Sequence, residues 1–164
     1  MDERIRQAHH DIYAGEAKAA LRLRHYATTA DKEGLPQVAH LFRAIARSEE
    51  IHGERSMRAL GMAKDTQTNL EASFESETRV AGVAYDRFLK LAIDAGDKAA
   101  EIVFSQARDV EEVHARLYRD ALNRMADDRE TTYYVCSVCG YVADGSLPDR
   151  CPVCNVPADR FEKL

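Results

Sequence analysis

Apolar residues recur at three- and four-residue steps through most of the first 125 positions, the period of an amphipathic helix. A first stripe runs through Ile5, Ile12, Glu16, Ala19, Leu23 and Tyr26. It is broken at "DKEGLP" (31–36), where Gly34 and Pro36 oppose continued helix. A second stripe follows through Val38, Phe42, Ile45, Glu49, His52 and Ser56. The polar segment "GMAKDTQTN" (61–69) forms a longer connection to a third stripe of Phe74, Glu77, Ala81, Ala84, Phe88 and Leu91. "DAGDK" (94–98) is a tight loop before the fourth, Val103, Ala107, Glu111, His114, Tyr118 and Leu122. The pattern predicts four helices of roughly 20–28 residues, arranged as two helical hairpins joined by a crossover in one bundle.

Each stripe carries a residue foreign to a core. A carboxylate stands in phase with the apolar residues: Glu16 on the first helix and Glu77 on the third. On the second and fourth it comes as Glu-x-x-His, in the matching words "SEEIH" (48–52) and "VEEVH" (110–114). Residues at i and i+3 project from one face, so Glu49 with His52, and Glu111 with His114, can each address one ion. Glu16 and Glu77 are 61 residues apart, and Glu49 and Glu111 are 62 apart, as are the two histidines. Two hairpins thus repeat one ligand placement. Four buried carboxylates without counter-charge would cost several kcal/mol each or take up protons. Two divalent cations balance them. One Glu from each of two helices, with Glu-x-x-His from each of the others, is the di-iron or di-manganese arrangement of helical bundles. Mixed carboxylate and imidazole ligation suits iron or manganese better than calcium. Glu50 and Glu112 are rotated ~100° away and are assigned to the outer face. His9, His10, His25 and His40 read as ordinary polar histidines.

Composition adds a boundary. All four cysteines fall between Cys136 and Cys154, and three of the four prolines lie beyond residue 133. The polar "ADDRETT" (126–132) reads as a linker, which divides the chain into domains 1–127 and 131–164. The second is too small for a core of its own. Cys136-x-x-Cys139 and Cys151-x-x-Cys154 can present four thiolates in a tetrahedron, suiting zinc or a single iron. Two disulfides are the alternative in a secreted chain. The charged start "MDERIRQAHHDIY" lacks the apolar block of a signal peptide, so metal is the better expectation. Gly140 and Pro152 follow cysteines where tight turns let backbone amides face sulfur. With 28 acidic residues against 23 basic, no tract suits nucleic acid. No apolar run approaches the ~18 residues of a membrane span. The expectation is a soluble, cytoplasmic protein.

Taken together, the chain resembles the rubrerythrins along essentially its whole length. "AGEAKAA" around Glu16, "EEIH", "NLEASFESE" and "EEVH" match the family's bundle, as does the spacing from Asn69 to Tyr85 and Phe88. "CSVCGYVADG" and "CPVCNVPADRFE" are similar to its iron–sulfur domain. The resemblance implies an all-α ferritin-like four-helix bundle followed by a small metal-bound rubredoxin-like domain. It implies two iron ions held by Glu16, Glu49, His52, Glu77, Glu111 and His114, with Tyr85 nearby. A further iron, replaceable by zinc, would be held by Cys136, Cys139, Cys151 and Cys154. The implied activity is reduction of hydrogen peroxide in oxidative-stress defence, with electrons from a reductase entering through the rubredoxin-like iron.

Two positions depart from the family. Where rubrerythrins carry a further Glu ligand one turn after Glu77, this chain has Val80, and Leu23 replaces a second nearby tyrosine. The six-ligand set that remains looks more like that of bacterioferritins. That opens an alternative, an oxygen-consuming ferroxidase or iron-handling protein. A third reading is a metal-stabilised scaffold that turns nothing over. His114 lies about 17 Å before Met125 along a helix, and the linker adds up to roughly 20 Å. This reach places the rubredoxin-like domain beyond its own bundle's end and predicts electron transfer in trans within a head-to-tail homodimer.

Overall fold

Every long helix begins where a side chain or a proline settles its first turn. A computed structural model describes residues 1–128 and 130–164; Arg129, within the predicted linker, lies outside the described residues. Helix α1 (Glu3–Lys32) opens on Asp2, whose carboxylate accepts from the Arg4 amide at 2.8 Å. Helix α2 (Pro36–Ala59) carries its proline in the first turn, where the missing N–H has no helical partner to lose. "DKEGLP" therefore ends one helix and starts the next. Helix α3 (Thr66–Arg79) is capped by Asp65, which accepts from the Thr68 amide at 2.9 Å. The polar stretch expected to connect the hairpins as far as residue 69 is consequently shorter: only residues 60–65 lie between the helices. Helix α5 (Lys98–Asn123) starts at Asp97, which accepts from the Ala100 amide at 3.0 Å. It follows Gly96, whose φ of +67° closes helix α4 (Asp86–Ala95) in the left-handed region that glycine adopts without strain.

The third predicted helix differs from expectation. Between α3 and α4 the chain forms a π-helical segment, Val80–Tyr85. Such a segment inserts an extra residue into a helix and shifts the phase of all that follows. The slip is visible in burial: Ala81 is buried as the stripe requires, but the next buried position is Ala92 rather than Leu91, which is 56% exposed.

The chain forms two compact units, Met1–Lys64 and Asp65–Leu164. In the first, α1 packs along α2 through a seam of small residues: Ala20, Ala27 and Ala30 against Ala39, Ala46, Gly53 and Ser56. Phe42 packs on the Ala27–Ala30–Ala39 cluster and meets Tyr26 edge-on, with ring centroids 5.7 Å apart. Other large apolar residues of the predicted stripes stay outside this seam; Ile12 and Ile45 are 43% and 39% exposed. Small side chains let the two backbones approach closely, which the branched residues would prevent. Arg24 crosses the hairpin to pair with Glu50, and Arg43 pairs with Asp31 at 2.8 Å.

In the second unit α3, the π segment and α4 lie along α5. The chain then turns at 124–127, where the Asp127 amide donates to the Arg124 carbonyl at 2.9 Å. A three-stranded antiparallel sheet follows, in the order β2-β1-β3, from β1 (Tyr133–Cys136), β2 (Val142–Asp144) and β3 (Phe161–Lys163). Tyr134 pairs with Ala143 on one side and Lys163 on the other. β2 contacts α5. The reach estimate that set this domain beyond the helix end is thereby corrected, because the turn folds it back beside α5 instead of extending the axis.

Ala39, fully buried in the α1–α2 seam, has no room for a longer side chain. Ala39→Leu is expected to cost about 1–3 kcal/mol through overpacking, read as a lower urea midpoint.

Candidate metal centres

Two near-identical clusters arise from the duplicated pattern. In the first unit, Glu16 from α1 meets Glu49 and His52 from α2. His52 Nδ1 stands 3.0 Å from Glu49 Oε2 and 4.0 Å from Glu16 Oε1. In the second unit, Glu77 from α3 meets Glu111 and His114 from α5, again with 3.0 Å between His114 Nδ1 and Glu111 Oε2. Within each trio a ligand atom of every residue lies within 4.8 Å of the others, close enough to share one ion. The structure thus brings the six predicted ligands together as two trios. Their neighbours in sequence go elsewhere. Glu50 pairs with Arg24 and with Arg47, which hold its carboxyl below the usual range, and Glu112 is exposed. Among the other histidines, His9 Nδ1 lies 3.3 Å from the Ser56 hydroxyl.

The second trio is the more covered, and its electrostatics ask for a cation. Burial, then a hydrogen bond and charge repulsion from Glu111, push the Glu77 carboxyl above its ordinary value; His114 opposes the shift weakly. Two carboxyls so close cannot both ionise without compensation, so a proton or a metal must sit between them. His114 Nε2 faces the Gly140 carbonyl at 3.4 Å. Donation there leaves the Nδ1 lone pair directed toward Glu111, the tautomer a metal ligand requires. The donor set therefore fits a divalent transition metal. An open cleft of about 480 Å³, lined by Leu70, His114, Leu117, Tyr118, Tyr133 and Val135 among others, reaches His114 from the side of the sheet.

Tyr85 owes its place to the π segment. On an uninterrupted α-helix, residue 85 would lie roughly 80° around the axis from residue 77. The wider turn rotates it back, and its phenol is held above the ordinary value by burial and by the charges of Glu111 and Glu77. Its ring meets Phe88 edge-on at 5.9 Å, and Phe88 meets Phe104 at 5.8 Å. No periodic signal in the sequence marks this insertion. Val80, where the further family carboxylate would stand, begins the segment.

The four cysteines converge as free thiols. Cys136 and Cys154 sulfurs are 3.7 Å apart, and those of Cys139 and Cys151 are 3.5 Å apart. A tetrahedron with metal–sulfur bonds of about 2.3 Å has edges of about 3.8 Å, so one ion fits. Both knuckles share one turn: the amides of Gly140 and Asn155 donate to the Cys136 and Cys151 carbonyls, each at 2.9 Å. The residue after each second cysteine takes positive φ, +82° at Gly140 and +60° at Asn155. Asn155 was not singled out by the sequence, whereas Gly140 was. Burial pushes the Cys136 thiol up, but the Cys139 and Val138 amides outweigh it and bring the group to about 7. Burial dominates at Cys139 and Cys154 and raises both.

Comparison with known proteins agrees with this architecture. Residues 11–122 match the family model for rubrerythrin, and residues 134–162 match that for the rubrerythrin rubredoxin-like domain. Nigerythrin of Nitratidesulfovibrio vulgaris is 30% identical, over 90% of this chain and 80% of its own length. Rubrerythrin-2 of Clostridium acetobutylicum is 27% identical over 92% of this chain and 91% of its own. Among solved structures, nigerythrin in a partially reduced state superposes with a TM-score of 0.61 at 27% identity, covering 97% of this chain and 86% of that one. Among the described residues, no helix is long and apolar enough to cross a membrane.

The raised Glu77 carboxyl has a pH signature. A carboxyl raised in the folded state favours the protonated fold, so its contribution is present at acid pH and is lost as pH rises through the folded value. In metal-free protein the urea midpoint is therefore expected to fall as pH rises from the ordinary 4.5 toward neutrality. Glu77→Gln should flatten that fall.

Proposed function

The chain belongs to the rubrerythrin family, and on that premise we propose that it reduces hydrogen peroxide to water with electrons delivered through its four-cysteine site. Proteins of this family carry a di-iron site and a rubredoxin-like four-cysteine site and act in oxidative-stress defence. In this reading Glu16, Glu49, His52, Glu77, Glu111 and His114 hold two irons, and Cys136, Cys139, Cys151 and Cys154 hold one. Residues 1–127 then form the di-iron domain and residues 131–164 the rubredoxin-like domain. Bound there, the iron pair would supply Lewis acidity and the two electrons that peroxide needs, and the thiolate-bound iron would restore them singly.

The observation that carries the reading is the approach of His114 Nε2 to the Gly140 carbonyl. Gly140 directly follows Cys139, so one hydrogen bond joins the thiolate knuckle to a ligand of the second trio. This short covalent and hydrogen-bonded path lies within one compact unit, so electron entry does not need the rubredoxin-like domain of another subunit. The remaining work falls to protons. Reducing peroxide to two waters consumes two protons, and the Glu77 carboxyl, sharing hydrogen-bonding contact with Glu111, is placed to carry one. The Tyr85 phenol, kept neutral, is a hydrogen-bond donor beside the same carboxylates. Val138, half exposed between the first two cysteines, gives an external reductase an apolar contact at the knuckle. The free thiols suit a reducing compartment such as the cytoplasm.

Val80 favours a second reading, with oxygen as the oxidant. A pair lacking the further anionic ligand is less stabilised when oxidised, which raises its potential and bears on the choice between peroxide and oxygen.

Mixing anaerobic, iron-loaded, reduced protein with stoichiometric peroxide or oxygen, followed by visible absorbance, tests the proposal. Fast oxidation by peroxide and slow oxidation by oxygen is the expected result; the reverse order selects the second reading. Val80→Glu is expected to lower the midpoint potential of the iron pair in a redox titration, and an unchanged potential would remove the role given to Val80.

A further inference from the structure

We propose that the four-cysteine site is also a modification site. In a chain not yet loaded with metal, hydrogen peroxide joins Cys136 to Cys154 and Cys139 to Cys151, and the two disulfides shut the site to metal until they are reduced. The inference concerns the sheet and its knuckles alone and does not rest on the di-iron reading.

Main-chain hydrogen bonds bring the sulfurs together. Within each knuckle the first cysteine's amide donates forward, Cys136 to the Tyr141 carbonyl at 2.9 Å and Cys151 to the Val156 carbonyl at 2.8 Å. The knuckles are also tied to each other through the segment that follows the second. The Ser137 amide donates to the Arg160 carbonyl at 2.8 Å, and Cys136 pairs with Phe161 in the β1–β3 register. From the same segment the Ala158 amide returns to the Asp149 carbonyl at 3.1 Å, just before the second knuckle. The Arg150 guanidinium closes that knuckle by donating to the Asn155 carbonyl at 2.8 Å.

Both sulfur–sulfur contacts with hydrogen-bonding geometry run between the knuckles, Cys136 to Cys154 at 3.7 Å and Cys139 to Cys151 at 3.5 Å. They share no cysteine, so two bonds use all four thiols. In each pair one cysteine is buried, Cys136 or Cys151, and the other, Cys154 or Cys139, is partly exposed. That asymmetry divides the chemistry. The partly exposed sulfur, as thiolate, attacks one oxygen of peroxide; the O–O bond breaks, the leaving hydroxide takes up the thiol's proton as water, and a sulfenic acid forms. The buried sulfur of the same pair then attacks the sulfenic sulfur. The S–O bond breaks, the S–S bond forms, and the departing hydroxide takes the second thiol's proton as water. Two thiols thus give two electrons to one peroxide and become one disulfide. Closing either gap to an S–S bond of about 2.05 Å takes about 1.5 Å of sulfur movement. A buried partner at contact distance also captures the sulfenic acid before a second peroxide carries it to sulfinic acid. Metal binding needs thiolates, which disulfide sulfurs are not, so the oxidised site is closed to an ion while its cross-links staple a domain too small for its own core.

Disulfide mapping of the full-length chain tests the proposal. The protein is stripped of metal with a chelator and a thiol reductant, freed of both without air, and given one peroxide for each of the two pairs. Trypsin cuts after Arg150 and so separates the knuckles. Free thiols are expected to disappear, the two knuckle peptides to run as one covalent species, and fragmentation to assign Cys136–Cys154 and Cys139–Cys151. In urea, where the main-chain bonds are lost, the three pairings open to four cysteines should be mixed. Links within a knuckle, sulfinic acid in place of disulfide, or the same mixture with and without urea would overturn the proposal. Cobalt(II) gives a second readout, because its thiolate charge-transfer absorption reports this site apart from the carboxylate trios. The oxidised chain is expected to lack that absorption and to regain it after thiol reductant; the full absorption before reduction would equally overturn the proposal.

Discussion

Negative charge held beside negative charge is the constraint around which this protein is arranged. Glu77 and Glu111 are close enough to share a hydrogen bond, on helices that partly withdraw them from water, and the Glu77 carboxyl is pushed above its ordinary value. The trio on the first hairpin repeats the composition, with the same 3.0 Å spacing between imidazole and glutamate. A helix pair does not keep such groups in register without a return. The return is the cation for which the imidazole and carboxylates are shaped, and the chain's other features serve to present it. Small residues draw α1 and α2 together so that Glu16 reaches the Glu49–His52 pair. The π segment turns Tyr85 toward the acids. The folded-back sheet brings a carbonyl to the far nitrogen of His114.

Much of this was legible from periodicity, for a physical reason. A carboxylate in phase with a helix's apolar stripe is costly unless compensated, so its repetition at a constant offset is hard to produce without a shared function. Glu16, Glu49, His52, Glu77, Glu111 and His114 all stood out on that ground, and Glu50 and Glu112 fell away because a rotation of ~100° sends them to a different face. The cysteine pairs were legible because thiol spacing of this kind serves few purposes. Helix starts were less so. Asp65 caps α3 at a point where the sequence looks merely polar, and this shortened the connection between the hairpins to residues 60–65.

What periodicity could not reveal depends on tertiary or hydrogen-bonding context. A π turn has no compositional marker, so the phase slip from Leu91 to Ala92 appears only in the folded chain. The alanine seam was hidden because hydrophobic patterning weights large residues, whereas close helix approach selects small ones. Ile12 and Ile45 were read as belonging to a packed face, but both are exposed, outside the seam that joins α1 to α2. The place of the sheet beside α5 was missed because a maximum reach says how far a chain can extend, and nothing about a turn that reverses it.

The four-cysteine knot has a consequence for the economy of the cell. Its sulfurs are set near the edges of a regular tetrahedron, and its amides stabilise thiolate charge in general. Neither feature distinguishes iron from zinc, which accepts the same four ligands at similar distance but does not change oxidation state. On the proposed reading, a chain filled with zinc would keep its shape and lose its conductance, becoming an insulator indistinguishable in outline from the working molecule. The fraction of competent protein would then be set by the ratio of available metals while the chain folds.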